Sequence, residues 1–423
     1  MKEEMDRLSL LNLHIDKETS KLAIQARDTY DQLKDFLSDH PHLNQKNRHI
    51  TIIGGGIVGL MSAFFLQKSG FTITILEKKS FGAAASGRNG GGVLSLGREL
   101  SELPFARLAT EIWSSLQQKK IDTKYVSSGH VMVARNEVEQ EKLLAAHEIY
   151  TTAGLKVKVL SPDELKGMVP DLTSETKMGL FSKSDGQSYP FTTMTSLLKY
   201  LKEHGATVIN HCEVLDFQTS NRTIEYVITE KGKFQSDAFL LCCGPWTTEV
   251  CKKLNEQVIV IPRRSQILVS EIVNKRRIHP FVTGNSLYLR QTHAGNILFG
   301  GGGSWETNGF DVSNTNYALE FLSSRLLELF PAYSHKQLIR AFAGTVELTE
   351  DHLPYFGKLN TFDNAFISGG YNGHGYGMSA VMGNLMAYSL TYQLNGRVNP
   401  IHDPILSRFS VARSKKKAGK LNV

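Results

Sequence analysis

His49-Ile-Thr-Ile-Ile-Gly-Gly-Gly-Ile-Val-Gly-Leu60 is followed, one short helix later, by Thr72-Ile-Thr-Ile-Leu-Glu-Lys78. The first stretch reads as an apolar strand, a glycine turn and the start of a helix. The second reads as a strand ending in an acid. That order is the fingerprint of a dinucleotide-binding unit. Gly54 permits the tight turn off the strand, Gly56 lets the backbone approach a pyrophosphate, and Gly59 lets the helix lie close to the sheet. The first helical turn, with Ile57 and Val58, offers N–H groups and the positive end of a dipole to phosphate. Glu77, beside Lys78, stands where a carboxylate holds both hydroxyls of an adenosine ribose. A phosphate in place of one hydroxyl would be repelled, so FAD or NAD is expected rather than NADP. Glycine turns alone are common, but here strand, helix and acid agree.

The chain has 423 residues, 41% hydrophobic and 21% charged, ordinary for a globular protein with two or three core-bearing units. No apolar run approaches the length that spans a bilayer. The N-terminus, Met1-Lys-Glu-Glu-Met-Asp-Arg7, is charged and lacks the apolar core of a secretory signal, so a cytoplasmic protein is expected. Four cysteines, Cys212, Cys242, Cys243 and Cys251, form no disulfide framework in a chain this long. Cys242 and Cys243 end the apolar run from Ala238 and read as small buried strand residues, with a redox pair as the minor alternative. No His/Cys cluster has metal-ligand spacing, and no metal is expected. The net charge of +7 raises nucleic acid as a partner. Six of the cations, Arg408, Arg413, Lys415, Lys416, Lys417 and Lys420, follow the last acid, Asp403, and leave a nearly neutral body. A solvated tail accounts for them without nucleic acid.

Residues 1–48 precede the first strand. Leu22, Ala26, Tyr30, Leu33 and Leu37 fall at helical spacing, with Asp16 as a cap and Ser38-Asp-His-Pro41 as a stop. This helical extension packs on the body, or on a partner or second copy. Helices are expected at 137–152, 190–204, 319–330 and 379–394. Strands are expected at 125–134, 156–160, 178–183, 206–211, 213–217 and 234–243, and antiparallel ones over 258–272 and 286–301. The expected fold is α/β: a Rossmann-like FAD-binding domain interleaved with an α+β, mainly antiparallel substrate domain. The first would comprise residues 49–125, 186–255 and 341–400. The second would comprise 126–185 and 256–340, and 401–423 would be the basic tail.

Two further glycine runs are Ala85-Ser-Gly-Arg-Asn-Gly-Gly-Gly92 and Ser368-Gly-Gly-Tyr-Asn-Gly-His-Gly-Tyr-Gly377. They read either as flexible loops or, beside helix starts, as anion-facing backbone. A flat flavin ring needs close backbone on its faces and donors at its pyrimidine edge. Glycine-rich helix starts meet both needs.

With Cys243-Gly-Pro-Trp246, Thr349-Glu-Asp-His-Leu-Pro-Tyr-Phe-Gly357 and Gly370-Tyr-Asn-Gly-His-Gly375 added in order, the chain from about residue 49 to 410 resembles the FAD-dependent D-amino-acid oxidase superfamily. That group includes glycine and sarcosine oxidases. Ser86–Gly91, Asn296-Ile-Leu-Phe-Gly-Gly-Gly302 and Gly370–Gly375 look most like gamma-glutamylputrescine oxidoreductases. The resemblance implies that Gly54, Gly56 and Gly59 hold the FAD pyrophosphate and Glu77 the ribose. It sets Ser86, Gly87, Arg88, Asn89, Gly90 and Gly91 along the flavin, and Val214 at the adenine. Cys243, Gly244 and Trp246 line the cofactor, and Gly370, Tyr371, Asn372, Gly373, His374 and Gly375 face the pyrimidine edge. Gly344 stands where sarcosine oxidases carry a flavin-tethering cysteine, so FAD would be non-covalent. Thr345-Val346 replaces the arginine that binds carboxylate in glycine oxidases. Leu298 stands where a dioxygen-activating lysine is found in sarcosine oxidases, which points toward a dehydrogenase as readily as an oxidase.

The family's chemistry is hydride transfer from a C–H beside an amine nitrogen to flavin, with hydrolysis of the imine; the protein supplies position and electrostatics. Candidate catalytic residues are Tyr288, Arg290 and His374. Tyr288 and Arg290 share one face of a strand by alternation. Arg290 reads as a carboxylate fork or a rim salt bridge, and Tyr288 as a substrate contact or core packing. His374 reads as a donor to reduced flavin or a backbone-bonded histidine. Arg263 and Arg264 read as solvated surface or as an attractor of acidic substrates. Asp351 is expected to fix a turn. Three functions compete: an oxidoreductase acting on a small-molecule amine or amino acid, a hydroxy-acid or alcohol dehydrogenase of the same fold, and a flavin-bearing subunit without catalysis of its own.

Overall fold

Two large sheets, one mostly parallel and one mostly antiparallel, organise the chain. The computed structural model describes residues 16–39, 47–273, 277–397 and 404–413. The first sheet has six strands in the order Tyr355–Lys358, Ala365–Gly369, Ala238–Leu241, His49–Ile53, Thr72–Leu76, Thr207–Ile209. All neighbours are parallel except the Tyr355–Lys358 edge strand. Its central strands are continuous apolar runs because both faces are covered. Ile50, Ile52 and Leu240 pack against helices Ile57–Lys68 and Gly375–Leu394. Ile53, Phe239 and Leu241 pack against Phe217 and Val227 of a three-stranded sheet built from Val214–Ser220, Thr223–Thr229 and Gly232–Gln235.

The second sheet has eight strands in the order Leu338–Leu348, Ile261–Ile272, Asn296–Gly301, Leu287–Gln291, Phe281–Gly284, His130–Ala134, Met178–Ser182, Val157–Leu160. Only Phe281–Gly284 and His130–Ala134 run parallel. Leu268, Ile297 and Phe299 on one face bury Leu322, Leu326 and Leu329 of helix Asn316–Leu329. The fold is the mixed α/β class the sequence leads one to expect. The chain passes between the two sheets several times, so each is assembled from separate stretches.

The helix Lys17–Asp39 starts at Asp16, whose carboxylate accepts the Thr19 N–H at 2.7 Å. It buries Ala23, Ala26, Tyr30 and Leu33 against the helices Leu103–Leu116 and Glu137–Thr152. The Tyr30 hydroxyl donates to Glu111, and Arg107 lies 3.5 Å over the Tyr30 ring. This helix therefore packs on the body; residues 1–15 and 40–46 lie outside the described residues. At the other end Arg413 is tied down rather than solvated. It donates to Asp351 at 3.0 Å and to the Leu353 carbonyl at 2.6 Å. Lys415, Lys416, Lys417 and Lys420 lie outside the described residues.

Two local expectations change. The run 234–243 is not one strand: Gly232–Gln235 closes the small sheet and Ala238–Leu241 enters the large one. The break falls at Asp237, whose carboxylate takes the His49 N–H at 2.7 Å and ties the new strand to its neighbour. The closing helix begins at Gly375, not Ser379, so its first turn lies inside the third glycine run.

Candidate functional site

A cavity of about 690 Å³ is lined by all three glycine runs and by residues of the eight-stranded sheet. Its size suits a large organic ligand.

At the first run the glycines do what close approach demands. Gly54 has φ +114°, and a Cβ there would lie 2.1 Å from the Cys242 carbonyl oxygen. A Cβ at Gly59 would lie 2.1 Å from the Gly54 oxygen. Gly56 differs, because a Cβ there would meet only the Ser86 hydroxyl, at 3.1 Å, and Gly56 itself lines the cavity. The helix that starts after Gly56 has no side-chain cap of its own. The Ile57 N–H is taken by the Ser86 hydroxyl at 2.9 Å. Ile57, Val58 and Glu77 line the cavity with Gly54 and Gly56. Glu77 accepts the Gly55 N–H at 2.8 Å through one oxygen and the Lys79 N–H at 2.7 Å through the other. Lys78 also lines the cavity, with its ammonium 4.5 Å over the Trp246 ring and 3.5 Å from Glu213. Val214 and Trp246 complete this end.

The second run is built largely for packing within the protein. A Cβ at Gly87 would lie 2.2 Å from the Gly82 oxygen, one at Gly91 2.2 Å from the Ser188 oxygen, and one at Gly90 2.6 Å from the Tyr288 ring. The Asn89 amide donates to the Ala85 and Ser86 carbonyls while its oxygen accepts the Gly91 N–H, which folds the loop. Arg88 donates to the Ala343 carbonyl at 2.9 Å and pins the loop to strand Leu338–Leu348, beside Gly344. Ser86, Arg88, Asn89, Gly90, Gly91 and Gly344 all line the cavity; Gly87 does not.

At the third run Gly373, His374 and Gly375 line the cavity at the N-terminus of the 20-residue helix Gly375–Leu394. That helix crosses Ile57–Lys68 closely, since a Cβ at Gly383 would lie 2.8 Å from the Ser62 nitrogen. Both helices thus direct the positive ends of their dipoles into one cavity. Asn372 lines it while its amide oxygen accepts the Thr349 N–H at 2.8 Å. Tyr371 turns into the core, its hydroxyl bonded to Ser368 at 2.6 Å, and Gly370 packs on Thr349. His374 Nδ1 lies 2.8 Å from the Glu102 carboxylate, which is fully buried.

The eight-stranded sheet supplies Tyr288, stacked 5.9 Å from Phe281, and both face the cavity. Arg290 does not line the cavity. It is buried, donates to the Ser188 carbonyl at 3.0 Å and lies 4.6 Å over the Tyr189 ring. Arg263 lines the cavity with one bond to the Asn308 side chain at 2.9 Å. Arg264 is no surface residue: it is buried against Glu306 and Asp311, each at 2.7 Å.

Lining residues outside the sequence-based candidates include Phe281, Glu102, Arg98 and Glu347. Glu347 is the most unusual. Its Oε1 accepts the Tyr371 N–H at 3.2 Å, while Oε2 is shut off from solvent without a partner. Burial pushes its carboxyl up to about 7. The signal for it was a lone charge in the run Ala341-Phe-Ala-Gly-Thr-Val-Glu-Leu348. Cys242 and Cys243 carry no disulfide, and burial raises both thiols far above their ordinary range.

These features suit FAD. The cavity has backbone cradles a Cβ would fill, a helix start for phosphate, and an acid for ribose. A family model described as DAO, FAD dependent oxidoreductase, matches residues 49–389. The chain is 24% identical to a glycine oxidase of Geobacillus kaustophilus, over 80% of this chain and 91% of that protein. It is also 24% identical to a gamma-glutamylputrescine oxidoreductase of Escherichia coli, over 80% of this chain and 82% of that protein. The crystal structure of an L-proline dehydrogenase from P. horikoshii superposes with a TM-score of 0.81 at 25% identity, covering 89% of this chain and 99% of that one. The chain belongs to the DAO family of FAD-dependent oxidoreductases.

Proposed function

We propose that this DAO-family oxidoreductase oxidises the C–N bond of an amine or N-substituted amino acid, with FAD held non-covalently. The observation that carries the reading is the meeting of three distant glycine runs and two helix N-termini on one cavity. The amine and amino-acid substrates named for its relatives supply the substrate class. When bound, FAD supplies the two-electron acceptor for the C–H bond beside nitrogen, and the imine that results is hydrolysed by water.

The protein's own residues then have separable tasks. The helix start at Ile57–Val58 and the Gly56 backbone would hold the pyrophosphate, and Glu77 the ribose hydroxyls. The Gly373–Gly375 helix start would place donors and a positive dipole end against the pyrimidine edge. His374, which lines the cavity, is oriented by the Glu102 carboxylate. Phe281 and Tyr288 form an aromatic wall that excludes water from the substrate. Arg263, which lines the cavity, is better placed than Arg290 to meet a substrate carboxylate. Gly344 offers no thiol for a covalent link to flavin. The four unpaired cysteines support a cytoplasmic, reducing location.

The test is anaerobic bleaching of the flavin band against a panel of amines, N-substituted amino acids and hydroxy acids. Bleaching by an amine and not by hydroxy acids is expected. Bleaching by hydroxy acids alone would replace this reading with C–O oxidation. Re-oxidation by air or only by a dye then separates oxidase from dehydrogenase.

A further inference from the structure

Between strand Asn296–Gly301 and helix Asn316–Leu329 the chain runs along the cavity before returning to its own sheet. The start of this segment, Gly302 to Ser304, lines the cavity. Gly302, Ser304, Glu249 and Lys253 line it and are exposed, so the cavity opens to solvent on this side. The middle of the segment is fastened to strand Ile261–Ile272. The Arg264 N–H donates to the Thr307 carbonyl at 3.1 Å, and the Gly309 N–H to the Pro262 carbonyl at 2.8 Å. The Arg264 side chain reaches Glu306 and Asp311, each at 2.7 Å, and Gln266 donates to the second Glu306 oxygen at 2.7 Å. Arg264 and Glu306 are buried, where parting them would leave an uncompensated charge. The segment is therefore held in place rather than a loose flap.

Phe310 stands between two of the fastened residues, Gly309 and Asp311, and is 39% exposed. Its ring lies nearly parallel to that of Trp246, at 5.0 Å and 11°. Trp246 follows strand Ala238–Leu241 of the six-stranded sheet. It lines the cavity with Glu77 and Val214, the end suited to the adenosine of FAD. The Lys78 ammonium lies 4.5 Å over the Trp246 ring and 3.5 Å from Glu213, which also lines the cavity. A row of Glu213, Lys78, Trp246 and Phe310 thus joins a loop of the eight-stranded sheet to the ribose end of the other. Among the described residues, neither Trp246 nor Phe310 belongs to a hydrophobic core. The stack holds no core together; it stands on the open side of a ligand cavity.

We propose that Phe310 is a positioning residue for the cofactor: by stacking on Trp246 it holds that ring in place at the adenosine end of FAD and slows the release of FAD. The inference rests on the FAD reading above and adds a residue that does not itself line the cavity. An indole on an open side has other rotamers to sample, and ordering it beforehand removes that cost from binding. An aromatic pair of this geometry is worth about three- to tenfold in an equilibrium constant. A change of this kind at a binding surface is felt mainly in dissociation rather than association. The Arg264, Glu306 and Asp311 cluster has its place in the same arrangement, because it fixes where Phe310 stands.

The experiment follows flavin fluorescence in the full-length protein. Rapid dilution of the holoprotein gives the dissociation rate, and stopped-flow mixing of apoprotein with FAD gives the association rate. Wild type is compared with Phe310→Tyr, Phe310→Leu and Phe310→Ala, and with Trp246→Ala alone and combined with Phe310→Ala. Tyr keeps the stack and should release FAD at the wild-type rate. Leu keeps apolar bulk without the stack. Leu and Ala should release FAD about three- to tenfold faster, with association changed by less than about twofold. In the Trp246→Ala background, Phe310→Ala should add nothing. Thermal melting of each apoprotein establishes that the variants fold; if Ala is misfolded, the Leu and Tyr rates decide. Wild-type release rates in Leu and Ala, or a Phe310→Ala effect that persists without Trp246, overturn the role of Phe310 and leave the FAD reading standing. Association and dissociation that rise together by one factor also overturn it, since Phe310 would then gate the path without holding the ring. A folded wild type that takes up no FAD overturns both.

Discussion

The first and second glycine runs look alike in sequence and are used differently. Of the four glycines at residues 54–59, Gly54 and Gly59 let backbone meet backbone, Gly55 makes room for the Phe81 ring, and Gly56 faces open cavity. At residues 87–91 the missing side chains make room for the protein's own Gly82, Ser188 and Tyr288. A glycine can thus be required by what approaches from outside or by what packs from within. Only the structure separates the two, because the neighbours of Gly90 lie on the other sheet.

Substitutions separate the two uses of glycine by the size of their effects. Gly54→Val should have the largest effect. Its Cβ would enter the Cys242 carbonyl, and φ +114° is unfavourable to any side chain, so about 3 kcal/mol or more of stability should be lost. Urea unfolding of the apoprotein measures it; a stable variant would contradict the packing. Gly56→Val should instead fold, with a melting midpoint near that of wild type, and lose FAD about a hundredfold or more. Retained yellow colour would move the pyrophosphate elsewhere. Gly90→Ala should cost about 1–2 kcal/mol and displace Tyr288, raising KM while flavin stays bound. An unchanged KM would remove Tyr288 from the substrate wall. The smallest effect is expected from Arg263→Ala. It should raise KM for a carboxylate-bearing substrate about tenfold and leave kcat and flavin colour alone. If Arg290→Ala does this and Arg263→Ala does not, the two arginines exchange roles.

Local sequence carried the first βαβ unit because strand, turn, helix and acid are consecutive. It carried most helices because their caps and periodicity are local too, as Asp16 shows. It failed where competing tendencies share one run. The stretch 234–243 is apolar at both ends, and periodicity does not register that Asp237 sends its halves to different sheets. Glycines at 375 and 377 mask a helix start because glycine disfavours helix locally, while the cavity edge and the packed helix behind it decide the outcome. At the site, Glu102 meets His374 across 272 residues, a pairing no spacing rule reaches. Arg290 shares strand alternation with Tyr288 but lies past the cavity, on Tyr189. Alternation sets a side chain's face, not its position along the sheet.

One FAD held reversibly in this cavity is the proposal on which the other predictions depend. Its most direct test is the absorption spectrum of the purified full-length protein with added FAD, repeated on the supernatant after denaturation. A flavin band on the folded protein that passes entirely into the supernatant is the expected result. A well-folded protein that takes up no flavin, or colour that stays with the denatured chain, would contradict it.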